Sequence, residues 1–290
     1  MKVLVVGATG MLGYSIFSNL SDDPQLNVYG TVRSLNGVER YFDDLNDKVI
    51  CEVDVTSLES VEGVCKKVRP DVLINCVGLI KQLGLSKQHI SAVTINSLLP
   101  HQLAMICEQF GTKLIHFSTD CVFDGTSGGY SETDRPTATD LYGRSKSLGE
   151  VEYGNHLTLR TSIIGHELNS EHSLIDWFLS QNSSVKGFSQ AIFSGLPTSY
   201  IAKLLSELIL PRAELKGLYN LSVEPIDKYS LLTKVADVYQ KNICIDNSNE
   251  LVIDRSLDST RLKDAIGFVP PTWDELVAFM HDDYLKRYKF

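Results

Sequence analysis

Residues 5–13 read VVGATGMLG, so glycine recurs every third residue just where a run of aliphatic side chains ends. Few features constrain a fold more. A buried strand that meets Gly7, Gly10 and Gly13 in this order must turn sharply and open a helix. The first glycine permits the turn, the second lets the backbone approach a ligand, and the third lets helix and strand pack at close range. The N-terminus of that helix presents free amides and the positive end of its dipole, which suits a pyrophosphate. Gly7, Thr9, Gly10, Met11, Leu12 and Gly13 are therefore candidates to bind a dinucleotide.

The following segments fit that opening. Residues 2–8, 27–32, 49–55, 71–78 and 113–119 are β-branched and almost continuously apolar, the pattern of parallel strands buried on both faces. Thr56 and Glu59 stand at capping-box spacing and predict a helix from there. A longer helix is predicted over 90–111, bent near Pro100, which has no amide hydrogen to give. Alternating strands and helices predict the α/β class, as a doubly wound parallel sheet of the Rossmann kind. A sixth strand is expected within 156–165, after which the alternation is lost among Pro197, Pro211, Pro225, Pro270 and Pro271. We expect a dinucleotide-binding domain over 1–165 and a smaller, mainly substrate-binding lobe over 166–290, with a stretch near 190–210 returning to the first.

Composition removes several function classes. The 290 residues carry a net charge of −9 and no basic stripe, which argues against nucleic acid as a partner. No run of about 18 apolar residues appears, so no membrane span is expected. MKVLVVGATG lacks the apolar core and cleavage site of a secretory signal. The six cysteines are scattered, with no C-x-x-C pair, as in a cytoplasmic protein with reduced thiols, and no metal site is expected.

The second strand runs into YGTVRS, with no Asp or Glu to hold the ribose 2′-hydroxyl of NAD. Arg33 and Ser34 stand there instead and suit a 2′-phosphate, so NADP(H) is favoured over NAD(H). Arg33 as a solvated loop residue is the competing reading. Asp54, next to Val55, either borders the adenine or starts the next helix.

In DLYGRSK, residues 140–146, Tyr142 and Lys146 are four apart and share one helical face. An ammonium beside a phenol favours the phenolate and draws its pKa down from about 10, toward values useful for proton transfer. Alone, such a pair is common on surface helices. Together with the glycine loop, and with Thr119 ending the fifth strand in FSTDCVFDG, it reads as an acid that protonates a carbonyl during reduction.

GATGMLG, NCVG at 75–78, TIN ending at Asn96, FSTDCVFDG, YGRSK and LRTSIIG resemble the short-chain dehydrogenase/reductase superfamily, in particular its extended members that act on nucleotide sugars. The resemblance covers nearly the whole chain. STDCVFDGTSGGYSETDRPTATDLYGRSKSLGE is similar to the dTDP-4-dehydrorhamnose reductases. This resemblance implies a Thr119–Tyr142–Lys146 triad and Asn96 in a proton relay. It also implies cofactor contacts from Val55, Cys76, Val77 and Gly78, and reduction of the 4-keto group of a nucleotide-diphosphate sugar for cell-surface polysaccharides. Dehydratases of the same superfamily carry Thr-Asp-Glu where this chain has Thr119, Asp120 and Cys121. A thiol, with a free pKa of about 8.5, replaces that glutamate poorly, so dehydration is not expected. An epimerase and a non-catalytic NADP-binding regulatory subunit remain as alternatives.

The second half departs from the rhamnose pattern. Residues 254–258, DRSLD, lack the proline and asparagine of the family's RP.NS.LD. The stretches 162–181 and 187–202 look more like reductases that make UDP-linked N-acetylated 6-deoxyhexoses. The sugar and nucleotide are therefore left open, as is the oligomeric state, a homodimer included. Substrate-binding candidates are Thr119, Asp120, Lys81, Trp177, Phe188 and Arg255, with Arg160 and Lys186 as further candidates for the diphosphate. Each has a plain alternative: Trp177 and Phe188 as core, Lys81 as a solvated loop residue. His116, inside a strand pattern, reads as structural.

Overall fold

Aliphatic runs with no polar face need cover on both sides, and the computed structural model, which describes residues 1–79 and 89–289, provides it. Strands β1 (Lys2–Val6), β2 (Asn27–Thr31), β3 (Val49–Ile50), β4 (Val72–Asn75), β5 (Lys113–Thr119), β6 (Leu157–Thr161) and β7 (Gly217–Asn220) form one parallel sheet. Their order is β7-β6-β5-β4-β1-β2-β3, winding outward from β1 in both directions. This is the doubly wound arrangement read from the sequence, and it places ligands at the carboxyl ends of the strands.

Alternate residues of β1 feed two cores. Val3 and Val5 pack with Ile16 and Phe17 of α1 (Met11–Leu20) and with Ile201 of the helix Thr198–Leu204. Leu4 and Val6 pack on the other face with Val61 of α2 (Leu58–Val68) and Leu103 and Ile106 of α3 (Leu99–Phe110). All of these side chains are buried, each contributing roughly 1.5–3 kcal/mol.

Local departures from expectation have local causes. The third strand is only two residues long, because Glu52 takes a left-handed φ of 61° and kinks the chain. The cap of α2 is Ser57, not Thr56; Thr56 Oγ1 instead donates to Asp54 Oδ1 at 2.8 Å. The long helix runs from His89 to Phe110 with a π turn at Val93–Leu98, and Pro100 lies in the first turn of the α-helical part beyond it. By length and composition this stretch is apolar enough to cross a membrane, but half of it is buried against the sheet and its neighbours. The strand β7 lies beyond residue 165, as does the helix Thr198–Leu204 that covers α1.

A second, three-stranded sheet has Ala191–Phe193 in the middle, Ile226–Asp227 antiparallel on one side and Ile253–Asp254 parallel on the other. A parallel bridge between Tyr130 and Leu257 joins it to the loop that follows β5. The carboxyl ends of the main sheet are thereby walled on one side.

Candidate active site

The glycine loop is built as its spacing requires. Gly7 has φ +88°, and the amides of Gly7 and Ala8 donate to the Thr31 carbonyl at 3.2 and 2.9 Å. A Cβ on Gly13 would collide with the Gly7 carbonyl, so strand and helix meet there backbone to backbone. Gly10 is the N-cap of α1 and supplies no side-chain cap; a Cβ there would meet nothing nearer than 3.6 Å. Uncapped amides facing open space fit a pyrophosphate. Thr9 and Met11 are part-exposed in the same turn and Leu12 is buried beneath it.

Arg33 and Ser34 are exposed at the end of β2, with Ser34 Oγ accepting from the Asn36 amide at 3.0 Å. The Asp54 carboxyl is held below its ordinary range by hydrogen bonds from the Thr56 amide and hydroxyl, with a smaller contribution from Arg33. Asp54 thus holds the turn that precedes α2, and Val55 packs against the core beside it. On the other side of the loop, Val77 Cγ2 lies where a Cβ of Gly7 would come within 2.6 Å. Cys76 follows β4, its amide donating to Val6 O at 3.0 Å.

A short helix, α4 (Leu141–Leu148), carries the tyrosine and lysine. Asp140 caps it, accepting from the Gly143 amide at 2.8 Å. Any side chain on Gly143 would strike the Cys121 carbonyl, so α4 seats directly on the turn after β5 and Tyr142 meets Thr119 there. Thr119 Oγ1 donates to Asp120 Oδ1 at 3.1 Å and accepts from the Cys121 amide at 3.2 Å. Lys146 is buried, and its Nζ donates to the Phe117 carbonyl at 2.6 Å. A Cβ placed on Gly78 would stand 3.9 Å from that Nζ and 3.7 Å from Asn96 Oδ1, so Gly78, Asn96 and Lys146 converge.

Asn96 is fixed from several sides. Its Nδ2 donates to Ser145 Oγ at 3.2 Å and to the Leu79 carbonyl at 3.3 Å, and its Oδ1 accepts from the Leu79 amide at 2.9 Å. It sits in the π turn, and Pro100 brings no amide hydrogen for its carbonyl. Gly149 presses against that carbonyl so closely that a Cβ could not fit. π turns recur at functional sites.

The electrostatics correct one expectation. Burial raises the Tyr142 phenol above its ordinary value, and the neighbouring Cys121, Asp120 and Asp140 act in the same direction. The neighbouring Thr119 hydroxyl is what opposes them, while the Lys146 ammonium is turned toward Phe117. Lys146 is itself pulled down to about 8 by burial, against the opposing pull of Glu150 and Cys76. Burial likewise raises Asp120, offset in part by hydrogen bonds and by the Arg255 charge, and pushes the Cys121 thiol up to about 12. His116 is buried and held neutral, its Nδ1 accepting from Asn75 Nδ2 at 3.1 Å.

Among the substrate candidates, Thr119, Asp120 and Arg255 come together. Arg255 Nε donates to the Phe123 carbonyl at 3.0 Å and its Nη1 lies 3.7 Å from Cys121 Sγ. Arg160 does not join them: its Nε and Nη2 are committed to the two carboxylate oxygens of buried Glu150, both at 2.7 Å. Lys186 forms an exposed pair with Glu250 at 2.8 Å. Trp177 is 38% exposed on the separate helix Leu174–Ser180, and Phe188 ends a strand paired with Ile245–Ser248. Among the described residues, no hydrogen bond or ring contact ties either to the cluster. Lys81 lies outside the described residues. Sequence reasoning missed Glu150, which also accepts from Ser118 Oγ at 2.6 Å behind Lys146, although its place four residues after Lys146 was a signal. It missed Ser145 and Lys228 as well; Lys228 faces Asp120, Cys121 and Arg255.

Comparison with known proteins matches residues 1–286 to the family described as RmlD substrate binding domain. A dTDP-4-dehydrorhamnose reductase of Aggregatibacter actinomycetemcomitans is 25% identical over 94% of this chain and 95% of its own. Methionine adenosyltransferase 2 subunit beta of Danio rerio is 25% identical over 97% of this chain and 92% of its own. A probable low-salt glycan biosynthesis reductase of Haloferax volcanii is 34% identical over 52% of this chain, a match that spans about half (48%) of that protein. In fold, the crystal structure of a Bacillus anthracis dTDP-4-dehydrorhamnose reductase in complex with NADP superposes with a TM-score of 0.79 at 20% identity, covering 97% of this chain and 99% of that one.

Proposed function

Because the chain belongs to the RmlD substrate binding domain family, we propose that it reduces the 4-keto group of a nucleotide-linked 6-deoxyhexose with NADPH, in nucleotide-sugar biosynthesis. The observation that carries this reading is the convergence of Thr119, Tyr142, Lys146 and Asn96 beside a glycine loop whose helix amides are uncapped. NADPH, when bound, supplies the hydride. Gly7, Gly10 and Gly13 would hold its pyrophosphate, and Arg33 its 2′-phosphate.

The side chains divide the remaining work. Tyr142, kept protonated by burial, gives its phenolic proton to the carbonyl oxygen as that oxygen becomes an alkoxide. The Thr119 hydroxyl, beside Tyr142, turns from Asp120 to the carbonyl oxygen and orients it. Lys146 stabilises the phenolate left after transfer, and its lowered pKa lets it give up a proton near neutral pH. Asn96, through Ser145, keeps α4 in register with the end of β4. Two substrate classes fit, dTDP-4-dehydrorhamnose and a UDP-linked 2-acetamido-2,6-dideoxyhexos-4-ulose.

A second reading, an NADP-binding regulatory subunit, is favoured by the full-length similarity to the Danio rerio subunit. The presence of Thr119, Tyr142 and Lys146 together weighs toward the enzyme. The test is NADPH oxidation with a panel of dTDP- and UDP-linked 4-keto-6-deoxyhexoses. Consumption with one member is expected. Tight NADPH binding without consumption across the panel would transfer the assignment to the regulatory reading.

A further inference from the structure

Lys228 begins the helix Lys228–Val238, far in sequence from the Tyr142–Lys146 pair. The three-stranded sheet explains how it reaches the site. Asp227 and Asp254 face Ile192 from opposite sides, so Lys228, level with Ala191, and Arg255, level with Phe193, flank the strand Ala191–Phe193. Both long side chains bear on the same corner, Asp120 and Cys121.

The two cations differ in commitment. Arg255 is tied to the Phe123 carbonyl and the Cys121 sulfur. The Lys228 ammonium makes no hydrogen bond or ion pair among the described residues. Its neighbour Asp227 is occupied as the helix cap, accepting from the Ser230 amide at 2.8 Å and the Ser230 hydroxyl at 2.6 Å. Asp120 is buried, accepts from Thr119 and is shared with Arg255. A part-buried ammonium without a hydrogen bond costs free energy that its attraction to Asp120 repays only in part. Facing Asp120 and Cys121, next to Thr119, such a group points to a ligand.

We propose that Lys228 binds the sugar-proximal phosphate of the nucleotide sugar and so sets affinity for the diphosphate. The inference rests on the reductase reading of the site. With C4 of the hexose at Tyr142 and Thr119, the phosphate on C1 lies one ring width away. Lys228 faces Asp120, the residue next to Thr119. An ammonium is a compact point charge with rotatable donors, suited to a single phosphate oxygen. Burial pulls its pKa down while Asp120 and Cys121 pull it up, and an arriving phosphate strengthens the second influence.

The test uses Lys228→Met, which keeps the aliphatic stem, and Lys228→Arg, which keeps the charge. Calorimetric affinities for UDP, dTDP, UMP and dTMP are measured on wild type and both variants, with NADPH affinity and thermal melting as checks on folding. Lys228→Met is expected to weaken whichever of UDP or dTDP the wild type binds by about ten- to a hundred-fold. The corresponding monophosphate, which lacks the sugar-proximal phosphate, keeps its affinity, and Lys228→Arg recovers most of the loss. With the turnover substrate, KM rises by the same factor while kcat stays within about threefold. Unchanged diphosphate affinity, equal weakening of the monophosphate, or a wild type that binds neither diphosphate would each overturn the proposal. Nucleotide binding needs no turnover, so a wild type silent in the NADPH assay would defeat the reductase reading and still leave Lys228 tested.

Discussion

Replacing Lys146 with methionine should abolish turnover and yet stabilise the cofactor-free protein at neutral pH. Lysine has an ordinary pKa of 10.5, and burial lowers that of Lys146 to about 8. Each pKa unit corresponds to about 1.4 kcal/mol, so at pH 7, below both values, the buried charge costs the folded state about 3 kcal/mol. Between the folded and unfolded values the unfolded chain binds more protons, and wild-type stability therefore rises with pH. By pH 9.5 the cost has fallen to about 1.4 kcal/mol. Methionine removes the cost but also removes the bond to the Phe117 carbonyl, worth about 1 kcal/mol. The variant should gain about 2 kcal/mol at pH 7 and almost nothing at pH 9.5. Urea unfolding of both proteins at the two pH values measures this directly. A variant less stable than wild type at pH 7, or an advantage that does not shrink as pH rises, would refute the reasoning.

Other expectations follow from the same geometry. Gly13→Ala puts a methyl group into the Gly7 carbonyl; NADPH binding, followed by fluorescence titration, should be lost, with stability down by about 1–3 kcal/mol or more. Arg160→Leu leaves Glu150 buried without its bidentate partner and should cost about 3–5 kcal/mol by chemical denaturation. Double replacement with Glu150→Leu should recover much of that loss. Tyr142→Phe should lower kcat by about two to four orders of magnitude with NADPH affinity nearly unchanged; wild-type turnover in this variant would remove Tyr142 from the chemistry.

Much of the architecture was legible because parallel strands buried on both faces write themselves as unbroken aliphatic runs, as in VLIN and KLIHFST. β7, GLYN, escaped notice because its four residues include a glycine and an asparagine and follow Lys216. The kink that shortens the third strand depends on one backbone angle, at Glu52, which a sequence does not display. At the site, the spacing of Tyr142 and Lys146 was readable, but the sign of the Tyr142 shift was not. That sign depends on burial and on Asp120 and Cys121, which only the seating of Gly143 on the Cys121 carbonyl brings close. Arg160 looked like a free cation because its partner Glu150 lies across a helix–strand turn. Lys228 carried no motif at all; a three-stranded sheet delivers it.

The central claim is hydride transfer to C4 of a nucleotide-linked sugar. It is tested most directly by running the reaction with NADPH deuterated at the transferable position of the nicotinamide and locating the label in the product. One deuterium at C4 of the hexose for each NADPH consumed is the predicted result. Converted sugar without label, or with no net NADPH consumed, would contradict the account and identify the site as one that epimerises.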